Sequence, residues 1–480
     1  MTPSRTAKRW ARGALITLAT ATLIGCGASS SDGGGRTAGI EGTGVTSGFG
    51  SVYVGGIEFA TEDAEIRFNG EPVDEQALQV GDVVRVSGEV DGDGQGRARR
   101  IVFDRNLRGP ITGIERQADG RGELTVLGQR VRFDANTHFI DVDDETLKTG
   151  DLIAVSGFGN DNGALRATLL EREGRYRPGM ALEVEVEGRI VDLRGDRFRI
   201  GDLTIVYSLS NVEGGGALSA GDYVQVIGDQ SRVDAPLSAQ RIERPRQKLG
   251  ANSQRVFVHG MVSDIDGDHF SVAGQRIDAG NAQRSGAIDA PLTDDATVLI
   301  HGTRRAGVIV AETVRLEAEP RVTLRARLDT LDDAEERVVL LGSEWSIKAD
   351  TRYLDQTEPG DRRLRLDRLA PGDTIQAIGY RGADRLIMTR LNRVDADPEG
   401  NAMLSGPIER IRRDGARVRI DLAGTTVTAN TNRTDFQNAA GQKISASAFQ
   451  RAAQPGVPVE AKGPANADRI DVARVVRLLE

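Results

Sequence analysis

The stretch Leu78-Gln-Val-Gly81-Asp82-Val-Val-Arg-Val-Ser-Gly88 decides how this chain is read, because the chain writes it repeatedly. It returns as Leu147-Lys-Thr-Gly150-Asp151-Leu-Ile-Ala-Val-Ser-Gly157 and as Leu218-Ser-Ala-Gly221-Asp222-Tyr-Val-Gln-Val-Ile-Gly228. A fourth copy is Leu369-Ala-Pro-Gly372-Asp373-Thr-Ile-Gln-Ala-Ile-Gly379. Two worn copies keep the spacing. From Leu292 to Gly302 the Gly-Asp pair is replaced by Asp295-Ala296, and from Ala453 to Gly463 by Gly456-Val457. Each copy reads as a tight Gly-Asp turn feeding a short strand whose alternate residues are apolar. The copies begin at 78, 147, 218, 292, 369 and 453, a mean period of 75 residues. That is longer than a solenoid or propeller-blade period and matches a small domain.

Working outward from these copies, modules three and four align without a gap. Val184-Glu-Val-Glu187-Gly188 stands against Val256-Phe-Val-His259-Gly260, and Gly195-Asp-Arg-Phe198 against Gly267-Asp-His-Phe270. Both read as strand, glycine kink, strand, Gly-Asp hairpin, strand. Modules two and six open alike, at Gly109-Pro110-Ile111 and Gly406-Pro407-Ile408, where proline is tolerated at a strand start. A Thr-x-aromatic element follows the third strand at Thr137-His-Phe139, Thr351-Arg-Tyr353 and Thr434-Asp-Phe436. The first module opens on a glycine-dense run, Gly44 to Ile57, whose glycines let strands bend and pack closely.

The expected fold is therefore all-β: six tandem, small, five-stranded antiparallel barrels of the OB-like type after a leader. Boundaries fall at 38–107, 108–176, 181–245, 254–319, 320–396 and 401–480, behind a leader at 1–25 and a tether at 26–37. Linkers are expected from Arg172 to Gly179, Arg244 to Asn252, Glu317 to Pro320 and Asp395 to Gly400. Modules this small bury only about 60% of their unfolded surface, so they are expected to pack on their chain neighbours.

The leader explains the single cysteine. Arg5, Lys8, Arg9 and Arg12 form a basic head, and the apolar run from Gly13 to Ile24 is too short for a stable membrane span. The segment ends at Leu23-Ile24-Gly25-Cys26, which resembles the bacterial lipobox. That resemblance implies a lipoprotein signal peptide, acylation of Cys26 (palmitate among the chains) and anchoring in the membrane through the N-terminus. Gly27, rather than Asp, after the cysteine favours the outer membrane, with the modules facing the periplasm or the surface.

The Gly48-Phe-Gly-Ser51 opening, the Leu-x-x-Gly-Asp-x-Val-x-Val-x-Gly strand and the Gly-Pro-Ile starts together resemble bacterial envelope proteins carrying domain of unknown function 5666 in tandem. The resemblance implies small β-barrel modules on an envelope lipoprotein, and it transfers no catalytic residue.

Charge narrows the partners. The net charge is −9, and removing the first 25 residues, with four bases and no acid, takes it to −13. Such a surface repels a phosphate backbone, so no nucleic-acid partner is expected. OB-like barrels that bind sugars or bases use aromatic platforms, but Phe198, Phe270, Tyr353 and Phe436 recur in one phase, as core residues do.

The weak metal candidates are Asp264, Asp266 and Asp268 in one turn, and His259 and His301, each before a strand glycine. The aspartates lack the longer frame and bidentate glutamate of a calcium loop. Aligned with Glu187 and Arg197, His259 and His269 are expected to face water. Ser219, in Ala217-Leu-Ser219-Ala-Gly221, lacks the first glycine of a nucleophile elbow and precedes a barrel strand rather than a helix. No cofactor and no catalytic residue are assigned. The expectation is a non-enzymatic, lipid-anchored envelope protein, an interaction or spacer array for an envelope protein or glycan. The alternatives are an enzyme or enzyme subunit acting on envelope polysaccharide or peptide, and a calcium- or metal-responsive binder.

Overall fold

The computed structural model describes residues 38–480 apart from 49–51, 92–93, 160–163, 178, 181, 245–254, 288–290, 333, 358–363, 383–384 and 467. The leader with Cys26, the tether, most of the Gly48-Phe-Gly-Ser51 motif and the linker beyond Arg244 lie outside the described residues.

The segment 107–175 shows the plan. Its opening strand, Leu107–Arg116, serves two partners. The first half pairs antiparallel with Asp151–Gly159, placing Leu107 opposite Val155. From Ile111 onward the second half pairs with Gly122–Val126, which turns back into Gln129–Phe133. That third strand lies parallel to the last, Ala164–Arg175, which is the hairpin partner of Asp151–Gly159. The ring is closed with five strands, the order of an OB-type barrel. The joint between third and last strands is parallel, where the sequence suggested antiparallel pairing throughout. The segment linking the third strand to the fourth crosses one end of the barrel, so the third strand can meet the last only in the same direction.

The same parallel joint closes the ladders in 38–103, 182–243, 255–316, 322–393 and 401–478. The short Thr-x-aromatic strand sits in this crossing segment and also lies parallel to the last strands. Its threonine is a clasp: the hydroxyls of Thr137, Thr351 and Thr434 donate to the carbonyls of Ala167, Met388 and Ala473 at 2.7–2.9 Å.

The Gly-Asp turn ties the opening strand to the closing hairpin. Gly81, Gly150, Gly221 and Gly372 have φ of +90° to +100°, and their N–H groups donate to Thr46, Ile111, Ile190 and Leu328 of the opening strands or the residues just after them at 2.8–2.9 Å. Each following aspartate closes its own turn. Asp82, Asp151, Asp222 and Asp373 accept from the amides of Gln79, Lys148, Ser219 and Ala370 at 2.8–3.0 Å. In the worn copies Asp295 itself takes a positive φ (70°) and donates to Val262, while Gly456 donates to Ile408. The glycine that ends the motif has a separate reason. Register slips by one residue at Gly88, Gly157, Gly228, Gly302 and Gly379, and a Cβ there would collide with the carbonyl of the facing strand.

Each closed ring leaves one edge open, the outer side of the first half of the opening strand, and these edges pair between barrels. Leu107–Arg116 joins Leu182–Arg189 antiparallel, and Val322–Asp332 joins Asn401–Pro407 antiparallel. Ala38–Val45 joins Arg255–Asp266 in parallel, with Gly42 opposite Phe257. The barrels are thus gathered into three sheets. Packing on chain neighbours holds for two of these unions. In the third, two barrels of intervening chain separate the partners.

Phe257 explains the glycines of the first opening strand. It is fully buried in the core of the 38–103 barrel, among residues such as Val54, Phe59 and Val86. A Cβ at Gly42 or Gly55 would sit inside its ring. Phe257→Ala is expected to destabilise the protein by about 3–5 kcal/mol, the cost of emptying a buried aromatic site. Gly42→Val should be destabilising alone and less so in the Phe257→Ala background. Urea unfolding of the four proteins measures this coupling, and additive effects would contradict the insertion.

Candidate functional site at the barrel junction

The residue before the opening-strand glycine is polar in each barrel that keeps this glycine, and three of these residues are Thr43, Glu187 and His259. All three line one cavity of about 140 Å³, where the 38–103, 107–175, 182–243 and 255–316 barrels meet. The connector between the first two barrels helps to form it. Asn106 donates from its side chain to Glu187 (2.8 Å) and accepts from Gly157 N–H (2.8 Å), and its carbonyl accepts from Glu187 N–H. Next to it, Arg105 is buried between Asp82 and Glu171, an ion pair across the 38–103 and 107–175 barrels. Thr168 adds a hydroxyl donated to Gly81 C=O at 2.6 Å, and Ser156 Oγ accepts from Val83 N–H at 2.9 Å.

Burial dominates the electrostatics here. It pushes the Glu187 carboxyl up to about 7, with the nearby Asp104 adding to the rise and Asn106 opposing it. Burial also pushes Glu185 up to about 8 against the stabilising amide of Gln225. Asp104 is raised as well, despite Arg85 at 3.4 Å. Chemically, this cavity holds protons near neutrality.

On the far side of His259 lies a second cavity, of about 360 Å³, between the 38–103, 107–175, 255–316 and 322–393 barrels. His259 Nε2 lies 2.9 Å from Glu317 Oε1. Burial works against ionisation of Glu317, but His259, with Arg315 and Arg352 behind it, outweighs burial and holds the carboxyl far below its ordinary value. Arg315 makes a bidentate pair with Asp350. Arg352 and Arg390 reach across to the turn at 135–137, donating to the carbonyls of Asn136 (2.6 Å) and Thr137 (2.7 Å).

The sequence candidates fare unequally. Asp264, Asp266 and Asp268 are exposed on a hairpin, and Asp268 accepts from Arg284 at 3.0 Å. His301 is half-buried opposite Phe257, and the strands bearing His259 and His301 are paired. His259 is buried (5% exposed), not water-facing. The alignment with Glu187 that suggested exposure places His259 on the outer face of its own barrel, but neighbouring barrels cover that face. The same reason hides Glu185 and half-covers Glu187. Among the described residues no three His, Cys, Asp or Glu side chains converge as metal ligands do. Phe198, Phe270, Phe436 and Trp345 are core residues, and Tyr353 is partly buried against the core. Glu317 lies in the expected linker, between the 255–316 and 322–393 barrels, and that linker runs through the centre of the junction.

The fold defines an all-β protein built of repeated OB-like barrels joined edge to edge. A family model described as "Domain of unknown function (DUF5666)" matches residues 41–102, 108–171, 187–243 and 259–315, and the chain belongs to that family. No curated protein matches it.

Raised carboxyls make stability fall as pH rises. Between the ordinary glutamate value of 4.5 and about 7–8, the folded state keeps protons on Glu187 and Glu185 that the unfolded state has lost. Their contribution is complete below 4.5 and lost through about 8. Glu317 acts oppositely, its contribution vanishing only in stronger acid. The melting temperature should therefore fall from about pH 5 to pH 8. Glu187→Gln should remove part of the slope, on the order of 3 kcal/mol of pH dependence at most. An identical slope in the variant contradicts this assignment.

Proposed function

We propose that this is a non-enzymatic, lipid-anchored protein of the bacterial cell envelope, held in the outer membrane through Cys26. Its joined barrels serve as an interaction or spacer body for an envelope protein or glycan. The observation that carries the reading is the backbone pairing between barrels, which makes a preformed body from units that are marginal singly. The lipobox-like ending of the leader supports the anchor, and the acidic surface supports a partner other than nucleic acid.

One observation favours a second reading, an enzyme or enzyme subunit acting on envelope polysaccharide or peptide. Glu187, pushed up to about 7, and Asp104, raised by burial, are two carboxyls lining one cavity, an arrangement that suits acid–base chemistry.

Cys26→Ser is expected to move the protein from the membrane fraction to the soluble fraction and to abolish labelling by a palmitate analogue. Retention in the membrane contradicts the anchor. Crosslinking in intact envelopes followed by pulldown should recover a discrete protein or glycan partner. Turnover of glycan, ester or peptide substrates that is lost in Glu187→Gln would replace this reading with the enzymatic one.

A further inference from the structure

The 360 Å³ cavity carries more positive charge than its own carboxylates neutralise. Two of the junction's cations have carboxylate partners, Arg166 with Asp134 at 2.6 Å and Arg315 with Asp350, and the His259 ring faces Glu317. Arg352, Arg390 and Lys348 have no carboxylate within ion-pair distance among the described residues. Arg352 and Arg390 are 8% and 5% exposed, and their hydrogen bonds go to neutral acceptors: backbone carbonyls at 135–137 and the Asn392 side chain. Carbonyl groups satisfy the N–H donors, and the carboxylates that act on Arg352, Glu317 foremost, do so from beyond ion-pair distance, so no carboxylate neutralises either guanidinium by direct contact. Burial, reinforced by the neighbouring Arg352, lowers Arg390 to about 9.

Arg352 lines the cavity and spends one N–H on Asn136, which leaves most of its planar fork for an incoming group. Such a fork matches a carboxylate or a phosphoryl group. Lys348, exposed at the rim, supplies a second positive charge, and the half-buried Tyr380 lies on the same wall. The remaining lining includes the apolar Val45, Leu299 and Met388. The volume is at the small end of the range for ligand pockets.

We infer that this junction cavity binds a small organic oxyanion, its charged end held by Arg352 and Lys348 and its apolar end lying on Val45, Leu299 and Met388. The ligand completes the charge balance of the junction and so ties the 255–316 and 322–393 barrels together. The inference is independent of the lipid anchor and of any macromolecular partner.

The test is calorimetry and thermal unfolding of the full-length protein with hexanoate, phenyl phosphate and inorganic phosphate, each against sodium chloride of equal ionic strength. The expected result is saturable binding of at least one organic oxyanion, with a melting temperature that climbs with ligand concentration beyond the chloride control. Hexanoate binding marks a carboxylate site, and phenyl phosphate binding a phosphate-ester site. Arg352→Gln should weaken binding at least tenfold. Because that residue also holds the 135–137 turn, Lys348→Ala on the exposed rim is the second variant, expected to weaken binding severalfold with an unchanged melting temperature in the absence of ligand. Absence of saturable binding for all three probes overturns the inference, as does undiminished binding in Lys348→Ala.

Discussion

A five-stranded ring closed by one strand that serves two partners has an unavoidable remainder: half of that strand keeps an unpaired edge. Unpaired backbone donors and acceptors on a strand edge attract another strand. Here the remainder is used internally. Ala38–Val45, Leu107–Arg116 and Val322–Asp332 each place that half-edge against the equivalent strand of another barrel. The cores follow the pairing. One continuous apolar cluster runs through 107–242, another through 322–478, and Phe257 and Leu299 extend the first barrel's core into its partner.

Within each ring, a few residues do most of the specification. The Gly-Asp turn supplies a left-handed residue, an N–H for the opening strand and a carboxylate that accepts the amide three residues back. The last glycine admits a bulge that bends the closing hairpin around the ring. The threonine of the crossing segment fastens the short strand to the last one.

Polar chemistry collects where barrels meet. A strand of an isolated barrel would put Glu185, Glu187 or His259 in water, and the neighbouring barrels remove that water. The junction then answers each buried charge in one of three ways. Some are paired, as Arg105 is with Asp82 and Glu171, and some are held protonated near neutrality, as Glu187 is. Arg352 and Arg390 are solvated only by carbonyls and an amide.

The amino-acid sequence by itself determined the repeated barrel, its strand sequence and its aromatic core, because turn chemistry and period-two alternation are local and each copy obeys them. Phe198, Phe270 and the Gly-Asp pairs could be placed from their neighbours in the chain alone. Which barrel meets which was decided only in three dimensions: the Gly42–Phe257 fit joins segments that no local pattern connects. The burial of His259 and the partial burial of Glu187 and Glu317 were decided there too. Alternation tells which face of a strand points outward from its own barrel, and only the packed assembly tells whether water or another barrel lies beyond it.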